Sequence, residues 1–98
     1  MTAVKTEGAA PTRGHALDAF RAEGCSSPRS WGNGPGDGYG RHSHAYYKVL
    51  FCLQGSITFH VEGDDVVLRP GDRLDLGPGT DHAATVGPEG CQCVEASR

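Results

Sequence analysis

The triplet His42-Ser43-His44 sets two imidazoles two positions apart. Successive side chains of an extended strand point to opposite faces, so an i, i+2 pair projects both rings from one face, as two metal ligands on a strand must be. A third imidazole, His82, directly follows the stiff turn Gly77-Pro78-Gly79-Thr80-Asp81. A fold that brings these two strands opposite each other closes a three-imidazole face. Neutral imidazoles at about 2.0–2.1 Å suit a divalent zinc, iron, nickel or copper ion and leave positions open for water and substrate. The competing reading is a surface histidine pair with an unrelated third histidine. His15 lies in a helical stretch, and His60 alternates against Ile57, Phe59 and Val61, so both read as surface residues.

The elements that must position these rings are mostly strands. The 98 residues leave room for one domain, and 15 Gly with 6 Pro exclude a helical bundle. One short helix is expected at His15–Glu23, where Leu17 and Phe20 share a face and Gly24 supplies a stop. Strands are expected at Cys25–Trp31, Arg41–His44, Tyr47–Leu53, Ser56–Glu62, Asp65–Arg69, Asp72–Leu76, His82–Val86 and Cys91–Glu95. Gln54-Gly55, Gly63-Asp64, Pro70-Gly71, Gly77-Pro78-Gly79 and Gly87-Pro88 read as the turns between them. Short strands without helical crossovers imply a small antiparallel barrel or jelly roll. Residues 1–13 are polar and Ala-rich and read as a flexible tail, with the domain itself at 14–98.

Nine basic against twelve acidic residues give a net charge of −3, which argues against a general nucleic-acid or anionic-membrane binder. The alternating glycines from Gly32 to Gly40 match neither GxGxxG nor GxxxxGK[ST], and they open into a strand where an anion site wants a helix. No stretch has the apolar length of a secretory signal or a membrane span, so a cytoplasmic protein is expected. Cys25, Cys52, Cys91 and Cys93 then read as thiols rather than a disulfide frame.

The spacing resembles the cupin family, whose motifs run G-x5-HxH-x3,4-E-x6-G and G-x5-PxG-x2-H-x3-N. Gly36, five residues, His42-Ser43-His44, three residues, Lys48, six residues and Gly55 follow the first, with Lys48 where the family has Glu. Gly71, five residues, Gly77-Pro78-Gly79, two residues and His82 follow the second, with Gly77 for Pro and Val86 for Asn. The resemblance implies an all-β double-stranded β-helix, or jelly-roll barrel, carrying the short N-terminal helix. It also implies that His42, His44 and His82 ligate a divalent metal ion in the barrel mouth.

Lys48 is the departure that matters for chemistry. In a straight strand it would lie about 13 Å beyond His44, at about 3.3 Å per residue. A bend near Ala45-Tyr46-Tyr47 is therefore needed to put it beside the histidines, with Leu50 and Cys52 following inward; otherwise it is an outward, solvated lysine. A protonated amine repels the ion, so a charged Lys48 and a metal are expected to stay apart. The lysine loses its proton, turns toward a carboxylate, or binds an anionic ligand lying between them, the last being the favoured arrangement. Tyr46 or Tyr47 can supply a hydroxyl at the mouth, and Asp81 is a weaker candidate carboxylate.

These residues lead to two expectations for function. One is a metal-dependent oxygenase, lyase or cyclase acting on a small, possibly anionic molecule, with Lys48 and Tyr46 as the catalytic candidates. The other is a non-catalytic module that binds or senses such a molecule. A homodimer is expected because Tyr47, Val49, Phe51 and Leu53 form a second apolar face on the Lys48 strand, which the short helix looks too small to cover.

Overall fold

The computed structural model describes residues 3–98. The elements in chain order are β1 (Ala3–Thr6), α1 (Arg13–Ala22), β2 (Ser26–Asn33), β3 (Gly38–His42), β4 (Lys48–Val61), β5 (Asp64–Leu68), β6 (Arg73–Leu76) and β7 (His82–Ser97). All seven strands join one antiparallel sheet in the order β1-β6-β4-β7-β2, with β3 also on β7 and β5 also on β4. The sheet curls into the expected all-β barrel.

Two long strands, β4 and β7, replace the four short ones expected there. Gln54-Gly55 and Gly87-Pro88 are not hairpin turns. The β4–β7 register shifts on either side of Gly55, where the chain continues in extended form with φ +68°. An extra residue at a bulge reverses which face each later side chain meets. Lys48, Leu50 and Cys52 point inward before it, whereas Ile57, Phe59 and Val61 do so after it. β7 makes the matching reversal, from His82, Ala84 and Val86 to Cys91, Cys93 and Glu95. The two bulges face each other so closely that a Cβ on Gly55 would lie 2.0 Å from the Gly90 carbonyl oxygen.

The inner face holds an apolar core of Leu50, Cys52, Ile57, Leu68, Leu74, Leu76 and Cys93, all at most 2% exposed. All four cysteines are free thiols. On the outer face, Val49, Phe51, Val94 and Ala96 pack against Ala10, Ala16 and Phe20, with Tyr47 and Leu53 at the margin. The helix starts two residues earlier than expected, capped by Thr12, whose hydroxyl accepts from the His15 amide.

The N-terminal segment departs from expectation in two ways. Ala3–Thr6 is not part of a loose tail: it forms β1 on β6, and the Ala10 amide donates to the Gly71 carbonyl. Met1 and Thr2 lie outside the described residues. The outer apolar face of β4, which motivated the homodimer, is covered by the chain's own α1 and Ala10, so that argument for a second subunit falls away.

Candidate metal centre

The strands bring the three histidines together at one end of the barrel. His42 ends β3 and stands directly opposite His82 at the start of β7, which in turn faces Val61 of β4. His44 lies beyond β3, in the bend before β4, where its carbonyl accepts a 2.7 Å hydrogen bond from the Gly79 amide. That bond ties the turn preceding His82 to the HxH segment. The ring centroids of His42 and His82 are 4.3 Å apart, those of His42 and His44 4.9 Å, and those of His44 and His82 5.2 Å.

Hydrogen bonds select the ring nitrogens that remain. His42 Nδ1 lies 2.7 Å from the Gly40 carbonyl and His82 Nδ1 lies 2.9 Å from the Thr80 carbonyl. A carbonyl only accepts, so each of these nitrogens carries the proton and leaves Nε2 as a lone pair. The Nε2 atoms of His44 and His82 are buried with no hydrogen-bond partner. Buried polar atoms are seldom left so, and each one needs a reason. One ligand nitrogen from each ring lies within 4.8 Å of the other two, so the donor set fits a divalent transition-metal ion.

Burial holds His44 below the usual imidazole value, helped by the charges of Lys48, His82 and His42. Burial also lowers His82, against the pull of the Thr80 carbonyl, with His42 and Lys48 adding to it. Both shifts favour the neutral ring, the form that ligates.

The histidines form one side of a cavity of about 350 Å³. Trp31, Tyr39, Phe59 and Ala84 give it apolar walls, and Lys48, Glu95 and Arg29 give it charge. Trp31 and Tyr39 meet edge to face at 5.6 Å. The chain does bend before Lys48, which lies inside this cavity, 8% exposed. Its ammonium lies 3.1 Å from Glu95 Oε1, which also accepts from Trp31 Nε1 at 2.7 Å, while Arg29 reaches Oε2 at 3.4 Å. Of the three arrangements expected for the lysine, the structure holds the one in which it turns to a carboxylate.

Glu95 is the residue that sequence reasoning missed. The signal was in β7, where Cys91, Cys93 and Glu95 share a face: a carboxylate at an inward position needs an inward cation. The other candidates stand apart. Tyr46 stacks on His44 at 4.9 Å but is 42% exposed and does not line the cavity, and Tyr47 faces outward to donate to Asp75. Asp81 pairs with Arg41 at 3.7 Å, outside the cavity. His60, on the outside of β4, lies 2.7 Å from Asp65 and 2.9 Å from Thr85. His15 lies at the helix start against Thr12.

The family profile described as the Cupin domain matches residues 33–95. This chain belongs to the cupin family. The cupin is similar over 71% of its length to an RmlC-like cupin from Shewanella frigidimarina, covering 62% of that chain with 24% identity and a TM-score of 0.65. It is also similar to a predicted oxalate decarboxylase from Thermotoga maritima, over 82% of this chain and 70% of that one, with 22% identity and a TM-score of 0.66. Over 44 residues, 45% of its length, it is 43% identical to the uncharacterized HTH-type transcriptional regulator YobQ of Bacillus subtilis strain 168, of which it spans 18%. No helix among the cupin's described residues is long and apolar enough to cross a membrane.

Proposed function

We propose that this cupin binds one divalent transition-metal ion through His42, His44 and His82 and receives a small molecule beside it in the cavity. The observation that carries this reading is the pair of buried, partnerless Nε2 atoms on His44 and His82, with His42 alongside. When bound, such an ion supplies Lewis acidity and acidifies a water ligand. The chain's own residues supply the rest. Trp31, Tyr39 and Phe59 exclude water and hold an apolar body. Lys48 and Arg29 hold polar groups of the ligand, and Tyr46, stacked on His44, brings a hydroxyl to a ligand that extends past the histidines. In the catalytic form of this reading, a metal-dependent oxygenase, lyase or cyclase, Lys48 and Tyr46 act on the substrate's polar groups.

The likeness to a stretch of a transcriptional regulator favours a second reading, a non-catalytic module whose cavity senses its ligand. Both readings need the same metal shell. X-ray absorption on the zinc-loaded protein tests it: the proposal requires three imidazole nitrogens at about 2.0–2.1 Å with no sulfur. A shell containing sulfur, or zinc that washes off at micromolar protein, would overturn it.

A further inference from the structure

Resting on the metal reading above, we infer that Glu95 is a positioning residue: by holding the Lys48 ammonium to itself, it keeps three imidazole lone pairs free for a metal ion that the lysine would otherwise displace. A lysine where the family has a carboxylate ought to disable a metal site twice over. Its charge repels the ion, and its three N–H donors can occupy imidazole lone pairs.

Lys48 lines the same cavity as such acceptors, the Nε2 atoms of His44 and His82, which are buried and without partners. The ammonium is nevertheless drawn to Glu95, 3.1 Å away. Glu95 stands opposite Leu50 on the neighbouring strand, two pairs along from the Lys48–Ser97 pair, and the inward faces of both strands make the two charges diagonal neighbours. Its carboxylate is not free to wander. Trp31 donates to Oε1 and Arg29 to Oε2, and Arg29 is the residue directly across from it on β2.

Glu95 is 6% exposed and Lys48 8%, so water does little to screen either charge. As a pair they present no net charge to an ion among the histidines. The compensation runs in both directions: without Glu95 the site faces an uncovered cation, and without Lys48 it faces an anion whose remaining cationic partner is the exposed Arg29.

Cobalt(II) titration of the full chain, followed by visible absorption, reads this out without any substrate. Glu95→Gln, which keeps an acceptor for Trp31, is expected to weaken cobalt binding about 10- to 100-fold. Lys48→Met is expected to strengthen it about tenfold, because Glu95 keeps Trp31 and the exposed Arg29 but loses its buried counter-charge. Lys48→Met/Glu95→Gln is expected to return to within about threefold of the unsubstituted chain, an opposing-sign pattern that simple damage to the barrel does not produce. If Glu95→Gln does not fold, the tightening by Lys48→Met decides. Unchanged affinity in Lys48→Met, or a double variant no better than Glu95→Gln, overturns the inference while leaving the metal site standing. Failure of the unsubstituted chain to bind cobalt overturns both.

Discussion

The ring of Phe20 meets the ring of Phe51 edge-on, with centroids 5.4 Å apart, and so fastens α1 to the outer face of β4. Both side chains are at most 2% exposed. Phe20→Ala removes this anchor and is expected to lower stability in urea by about 3–5 kcal/mol. It also uncovers Val49 and Phe51, so the variant should self-associate more in sedimentation than the unsubstituted chain. A loss below about 1 kcal/mol would show that the helix is not what closes this face.

The end of the same helix is clamped by charge. Glu23 receives two 2.6 Å hydrogen bonds from Arg73, with Arg98 3.5 Å away. The Arg73 bond holds the Glu23 carboxyl below its ordinary value against the opposing pull of burial, with the charges of Arg73 and Arg98 adding to the lowering. A depressed folded pKa means stabilisation that is fully present above about pH 4.5 and is lost as the pH falls through the folded value. Glu23→Gln is therefore expected to cost about 1 kcal/mol at pH 7. That difference should shrink in denaturation curves taken at falling pH below 4.5; a difference that stays constant to pH 3 would contradict the clamp.

Gly55 and Gly63 both have left-handed φ, +68° and +87°, but their surroundings differ. A Cβ at Gly63 meets open space, whereas one at Gly55 strikes the Gly90 backbone. Gly63→Ala should cost only the backbone strain, about 1–2 kcal/mol. Gly55→Ala forces the paired bulges apart and should cost clearly more, or prevent folding. Equal melting-temperature shifts in the two variants would mean that the close approach of β4 and β7 is not required.

These same bulges show why part of the fold was legible and part was not. The alternation along Lys48, Leu50 and Cys52, and again along Ile57, Phe59 and Val61, identifies strands and their inner faces. Gln54-Gly55 carries the composition of a turn, yet the change of parity across it is what a bulge in a continuous strand produces, and composition does not separate the two. The histidine positions were legible because motif spacing fixes them. The partner of Lys48 was not, because the β4–β7 pairing that sets Glu95 beside it joins residues 47 positions apart. The docking of β1 on β6 escaped notice for a similar reason: four residues hold too little pattern to reveal a strand that depends on its neighbour.

Equilibrium zinc titration of the histidine variants tests the metal centre most directly. The unsubstituted chain is expected to bind one zinc ion, and His42→Ala, His44→Ala and His82→Ala each to lose roughly a hundredfold or more in affinity. His60→Ala and His15→Ala, which alter rings outside the cavity, are expected to bind as the unsubstituted chain does. Zinc affinity that survives His82→Ala but falls with His60→Ala would contradict the account.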